Sequence, residues 1–354
     1  MGFSGIYELP VEQSNWVFDG QTNVSMNWRY GDGRAEILQL YEKGKAKQWN
    51  ATERSDWSIE VDPDNPMGLA DQSIPIYGTR VWERLPESKR REVRKHVQAF
   101  QISQFLHGEQ GALIATSKLV QSAPSIDEKF FAATQAIDEA RHVEVFSRLL
   151  RDKIKVAYPI SEQLKKLLEN GLSDRRWDMT YLTMQVLIEG LALAAFQRYR
   201  DYGLSQLPSS IMAYVMQDEA RHVAFGRIAL RQYYPQLSEK ERDEREEFAV
   251  EACHLMLERY QPKGFWQDLD LPEQECAEAI TSSGLQQNFR ERIFSRVVPT
   301  MKDIGLCGKR IRGAYEDMGV LHFCDVDAGE ILANDEKVAE QFDALRLAQD
   351  SKGI

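Results

Sequence analysis

The chain contains the same nine-residue pattern twice. DEARHVEVF at residues 138–146 is answered by DEARHVAFG at residues 218–226, an offset of 80. Both copies hold Glu-x-x-His, and on a helix residues three apart project from nearly the same face. Glu139 with His142 therefore forms one candidate metal half-site, and Glu219 with His222 the other. The same offset relates Glu109 in FLHGEQGALIAT to Glu189 in VLIEGLALAAF, and each precedes its Glu-x-x-His by 30 residues. A chain with this repeat is constrained to bring two helical hairpins together around one set of acidic and imidazole ligands.

Glu189 makes the strongest case for a cation. It stands alone among Leu187, Ile188, Leu191, Leu193, Ala194 and Phe196, in a helix whose apolar surroundings mark it as buried. An ionised carboxylate there must be protonated, paired or metal-bound, because leaving it bare costs at least several kcal/mol. Arg141, Arg221 or a helix terminus would neutralise a single buried Glu. Six ligand-type residues in a repeated arrangement favour metal, and four carboxylates with two imidazoles suit a pair of iron or manganese ions better than one structural zinc. Asp138 and Asp218, each directly before a ligand Glu, are placed to accept the second ring N–H of a ligand His, with Arg141 and Arg221 balancing them.

The rest of the chain reads as helix. One helical stretch near residues 35–47 lies in an N-terminal extension rich in Gly, Pro, Asn and Asp. After Pro86 the apolar positions Val93, Val97, Phe100 and Phe105 recur at helical spacing to about Leu119. A capping box, Ser125 with Glu128, opens a second helix carrying Phe130, Phe131, Ile137 and Phe146. A third is expected from about residue 173 to 202, a fourth from about 209 to 233, a fifth after the box Ser238 with Glu241, and a further one over about 285–304. No segment alternates long enough for a sheet, so the class is all-α. The expected organisation is an extension over residues 1–80 packed on the bundle, a helical bundle over 81–304 and a tail over 305–354.

Composition sets outer limits. With 354 residues and 43% hydrophobic content the chain buries a large core unaided, and its net charge of −11 opposes nucleic acid or an anionic membrane as partner. Four dispersed cysteines and an N-terminus without a basic segment and apolar run point to a reducing cytoplasm. The apolar run near Val186 and Phe196, interrupted by Glu189, reads as too short to span a membrane. Cys307, His322 and Cys324 lack the paired short spacing of a zinc clip, and the two cysteines read as buried thiols.

These residues resemble the ferritin-like di-iron carboxylate proteins with the ribonucleotide reductase small-subunit fold, a group that includes soluble di-iron monooxygenases, oxidases and acyl carrier protein desaturases. The resemblance covers about residues 80–234 and implies a ferritin-like four-helix bundle with additional helices and an irregular N-terminal extension. It implies that Glu109, Glu139, His142, Glu189, Glu219 and His222 bind two iron ions, or a manganese and an iron. A weaker likeness lies in LYEKGKAKQWNATERSDWS, where Trp49 matches a tryptophan that passes electrons through an aspartate and a ligand histidine, here Asp218 and His142.

Departures from the family narrow its implications. The radical tyrosine of the reductase subunits is replaced by Phe146, and no Tyr follows Tyr315. The Val–Tyr crosslink of related oxidases would fall at Ala112 and Met184. The Thr that hydroxylases and desaturases place after the third metal-binding Glu is absent at Ala192 and Leu193. The arylamine N-oxygenases add a His one turn before the last Glu-x-x-His, where this chain has Val215. The expected activity is dioxygen activation at two metals to hydroxylate, N-oxygenate or desaturate a partly apolar small organic substrate, with electrons from an external ferredoxin or flavin reductase. Side chains one turn from the ligands nominate a pocket of Phe105, Ala112, Phe146, Gln185, Ala192, Phe196 and Val215, with Gln185 as its polar contact. A ferroxidase or iron-handling role, and a radical-generating subunit, are the alternatives. The family resemblance also implies a homodimer.

Overall fold

The computed structural model describes residues 16–258, 264–282 and 284–331, with 333, 334, 337, 338, 340, 341 and 344 beyond them. Among these residues the structure is helical, without strands. Helix α1 spans Ala35–Ala46, α2 Glu87–Ser122, α3 Ile126–Arg148, α4 Glu162–Ser173, α5 Trp177–Tyr202 and α6 Gln206–Tyr233. Helices α7 Glu239–Glu258, α8 Glu273–Ser282, α9 Gly284–Asp303 and α10 Lys309–Asp317 follow. The two hairpins, α2 with α3 and α5 with α6, pair into the four-helix core, and α1 lies across α3 and α6. Helix α7 packs on α4 and α5, α9 on α5, and α10 on α7.

Local chemistry explains the boundaries. Pro86 opens α2 because its missing N–H would be unused there. Both expected capping boxes form: Ser125 N donates to Glu128 at 3.1 Å, and Ser238 N to Glu241 at 2.8 Å. The third expected helix begins later than its apolar pattern suggests. The Arg176 N–H donates to the Asp174 side chain at 2.8 Å, which turns the chain between α4 and α5. Helix α4 itself, capped by the Ser161 hydroxyl on Leu164 N, was not anticipated. On α3, Phe131 and Phe146 are buried, but Phe130 and Ile137 face outward.

Helix α5 is long and apolar enough to cross a membrane, contrary to the reading of its apolar run as too short. Its most apolar window is 89% buried inside the protein, so α5 is the central helix of the core. The segment beyond residue 305 is also more than a tail, because Ile311, Tyr315 and Val320 are fully buried against the same core. In the N-terminal extension Met67, Leu69, Ile74 and Ile76 are buried as well.

One irregularity positions the site. Residues Leu182–Ile188 form a π-helical stretch that ends directly at Glu189, a widened turn of the kind common at functional sites. It packs on α6 at Gly226, where an added Cβ would lie 2.5 Å from the Gln185 Cβ. The first repeat carries Phe146 at the equivalent position, so the two DEARH copies diverge where the wide turn needs room. Gly226→Ala is expected to destabilise the protein by ~1–3 kcal/mol through overpacking, despite alanine's better helix propensity. Urea unfolding with a midpoint at or above wild type would contradict this packing role.

Candidate metal centre

All six repeat-derived ligands converge in the middle of the bundle, Glu109 from α2, Glu139 and His142 from α3, Glu189 from α5, and Glu219 and His222 from α6. They form two overlapping groups. Glu109, Glu139, His142 and Glu219 present ligand atoms within 4.8 Å of one another, as do Glu139, Glu189, Glu219 and His222. Glu139 and Glu219 belong to both groups, so two metal ions held there would share these two carboxylates.

The imidazoles are oriented in the same sense. His142 Nδ1 lies 3.0 Å from Glu219, and 3.3 Å from both Glu139 and Glu109. His222 Nδ1 lies 3.1 Å from Glu139 and 3.4 Å from Glu219. The other ring nitrogen of each His meets the aspartate of the opposite repeat, His142 Nε2 at 3.1 Å from Asp218 and His222 Nε2 at 3.2 Å from Asp138. An aspartate there holds Nε2 as the protonated nitrogen and turns the Nδ1 lone pair toward the carboxylates. Arg141 pairs with Asp138 and, at 3.2 Å, with Asp218, while Arg221 pairs with Asp218. The arginines thus serve the two aspartates, and among the described residues no arginine or lysine pairs with Glu189.

Charge then decides what the site can hold. Two aspartates against two arginines sum to zero, so four glutamates leave −4, the charge that two divalent cations cancel when both imidazoles are neutral. Glu139 Oε2, Glu189 Oε2, both Glu219 oxygens and His222 Nδ1 are buried without a hydrogen-bond partner, so the donor set fits two metal ions. Burial, and then the charge of Glu219, pushes the Glu109 carboxyl up to about 8. The same two causes raise Glu189 well above the usual carboxylate range. Burial would depress His142, but the carboxylates of Asp218, Glu109, Glu139 and Glu219 raise it well above its ordinary value.

Two contributors were not anticipated. Gln135, one turn before Glu139 and fully buried, donates Nε2 to Glu139 and Glu189 at 2.9 Å each. Gln48 donates to Asp138 at 2.7 Å and accepts from Arg141 at 2.8 Å. Its neighbour Trp49 donates Nε1 to Asp218 at 2.8 Å, so the expected chain Trp49–Asp218–His142 is continuous. Gln135 was legible as a polar residue on the ligand-bearing face of α3. Gln48 had no signal beyond its place beside Trp49.

A cavity of about 360 Å³ opens beside Glu109, Glu189 and Glu219, lined by Phe105, Ala112, Ala192 and Phe196 as expected and also by Met184, Ile188 and Leu191. Phe146, Gln185 and Val215 do not line it. Phe146 stacks behind Phe196 with ring centroids 5.6 Å apart. Val215 is fully buried in the apolar core. Gln185 fails because the π-helical stretch shifts the facing position from four residues before Glu189 to five, and Met184 takes its place. Cys307 and Cys324 are thiols 3.8 Å apart, and among the described residues His322 joins no cluster of ligand atoms.

Residues 32–305 match the family model of the p-aminobenzoate N-oxygenase AurF. The chain belongs to this family. Solved structures of two variants of an R2-like ligand-binding oxidase, each with an anaerobically reconstituted Mn/Fe cofactor, are both 17% identical, with 78% of this chain and 96% of theirs covered and TM-scores of 0.49 and 0.48. None of the curated proteins compared matches. This AurF-family chain is thus a two-metal, oxygen-activating oxidoreductase of the ferritin-like class, with dioxygen as co-substrate. Its membership holds although Val215 replaces the extra histidine. In the other repeat the equivalent position, 80 residues earlier, is Gln135, which does reach the ligands.

Two outcomes follow. Glu109 holds its proton more tightly folded than unfolded, and the raised imidazoles likewise stabilise the fold only until they deprotonate. Stability of the metal-free protein should therefore fall as pH rises from about 4.5 through about 8. Calorimetry on chelator-treated protein at pH 5, 6.5 and 8 checks this, and a melting temperature rising over that window would refute it. Gln135→Leu should weaken metal binding by roughly 10–100-fold in a chelator competition, whereas unchanged affinity would remove Gln135 from the site.

Proposed function

We propose that Glu109, Glu139, His142, Glu189, Glu219 and His222 hold two iron ions, or a manganese and an iron, and that the protein oxidises an N–H or C–H bond of a partly apolar organic substrate. The observation that carries this reading is the buried −4 ligand set opening on an apolar cavity. Two reduced metal ions held by these residues would supply the electrons for dioxygen activation. The protein's own residues do the remainder. Asp138 and Asp218 fix the imidazoles, Gln135 holds Glu139 and Glu189 in register, and Phe105, Leu191 and Phe196 keep water from the reacting bond.

Insertion of one oxygen atom leaves the other to depart as water, which takes two protons from solvent and two electrons from an external donor such as a ferredoxin or flavin reductase. Trp49, half-buried and bonded to Asp218, is our proposed entry point for those electrons. N-oxygenation is the preferred outcome, from the likeness to AurF. Phe146 offers no phenol for a radical-generating role, and four thiols without a disulfide suit a reducing compartment.

Glu189→Ala should lower metal content below two per chain and abolish most oxygen uptake by the reduced protein, with helical circular dichroism intact. Normal metal content in that variant would defeat the ligand assignment. Iron loading far beyond two atoms per chain in the wild type would instead establish iron storage.

A further inference from the structure

Cys307 and Cys324, 17 residues apart in sequence, face each other beside the end of α9 with their sulfurs 3.8 Å apart. The last turn of α9 holds both in place. Leu306 N donates to the Met301 carbonyl at 2.9 Å directly before Cys307, and Lys302 Nζ donates to the Cys324 carbonyl at 2.6 Å. The sulfurs are in van der Waals contact, and a disulfide of roughly 2.05 Å needs an approach of about 1.8 Å. The two differ in access. Cys307 is half-buried, with the exposed Arg312 guanidinium 3.7 Å from its sulfur, whereas Cys324 is 5% exposed. Burial, and then the neighbouring Cys307, pushes the Cys324 thiol up to about 11. Cys307 is thus the sulfur that a small oxidant meets, beside a cationic donor that can hold the negative charge of attack, and Cys324 waits behind it as a thiol. Cys253 and Cys276 are fully buried, and burial pushes each thiol up to about 12, so neither competes.

We propose that Cys307 and Cys324 are a reversible, peroxide-oxidised pair whose disulfide closes a loop around α10. Cys307 attacks hydrogen peroxide, forming an S–O bond as the O–O bond breaks, and its thiol proton leaves with the departing hydroxide as water. Cys324 then attacks the sulfenic sulfur, an S–S bond replaces the S–O bond, and a second water leaves. The pair gives up two electrons and two protons, peroxide takes them, and a thiol reductant reverses the change. In the functional reading above, dioxygen that takes up two electrons and two protons without oxidising a substrate leaves as hydrogen peroxide, which supplies the oxidant. The thiol chemistry itself stands without that reading.

The crosslink strengthens a short element. Helix α10 has nine residues, and Ile311, Tyr315 and Val320 anchor its segment in the core. The buried Tyr315 hydroxyl has no hydrogen-bond partner among the described residues, so docking leaves a polar group unsatisfied. A disulfide from one side of α10 to the other gives the undocked segment less entropy to gain.

Peptide mapping of the full chain after treatment with a slight excess of hydrogen peroxide, metal-loaded and chelated, with remaining thiols alkylated in denaturant, tests this. The Cys307–Cys324 crosslink should appear in both samples, vanish on dithiothreitol and leave Cys253 and Cys276 as thiols. Cys324→Ser should instead let Cys307 run on to sulfinic acid, and Cys307→Ser should leave Cys324 reduced. On oxidation of the wild type, amide hydrogen exchange over residues 309–317 should slow by about tenfold or more. Four unmodified thiols, sulfinic acid at Cys307 as the main wild-type product, or a crosslink formed only between chains would overturn the pair. A crosslink that needs bound metal would overturn direct oxidation by peroxide, and one that leaves exchange over α10 unchanged would overturn the loop closure. Metal content, which none of these readouts uses, tells failure of the functional reading apart.

Discussion

Four carboxylates buried within a few ångströms of one another are tolerable only if charge is cancelled locally. Six acidic groups and two arginines meet at the centre of this bundle, and the arginines are spent on Asp138 and Asp218. Everything around the site follows from that residual charge. The aspartates lock the ring tautomers, the imidazoles turn Nδ1 inward, and Gln135 gives one hydrogen bond each to Glu139 and Glu189. A site so arranged is costly without metal, because like charges in a desolvated volume push protons onto Glu109 and Glu189. Metal binding and folding stability are therefore coupled through the same groups.

The two halves are related but not equal. Glu109 sits on the long regular helix α2, whereas Glu189 follows a π-helical stretch that Gly226 accommodates. Gln135 on one side has Val215 as its counterpart on the other. Asymmetry of this kind gives the two metal positions different surroundings. The inner cavity opens beside Glu109, Glu189 and Glu219, while the other face of the site is closed by Trp49, Gln48 and the aspartates. In the proposed function, substrate and electrons take opposite approaches.

Much of this was legible in the residues. The 80-residue repeat named all six side chains that converge at the centre and both aspartate–arginine pairs, since Glu-x-x-His spacing on a helix leaves its side chains a single common face. Capping boxes at Ser125 and Ser238 and proline at residue 86 marked helix starts, because those side chains satisfy or spare the first backbone N–H groups. The segment around Trp49 places its indole on Asp218, the contact expected of it. Apolar periodicity was less reliable at Phe130 and Ile137, which face outward.

What the sequence by itself determined was the set of six converging carboxylate and imidazole side chains, the all-α class and the pairing of two hairpins, all consequences of local spacing and of the free energy of buried charge. Only the tertiary structure decided which carboxylates are shared, which aspartate serves which histidine, and which side chains form the cavity. Each aspartate reaches the histidine of the opposite repeat, a contact between helices that sequence separation cannot express. Gln185 and Met184 exchanged roles because one widened helical turn rotated the face they share with Glu189. That turn packs against Gly226 on α6, where no larger side chain leaves room for Gln185.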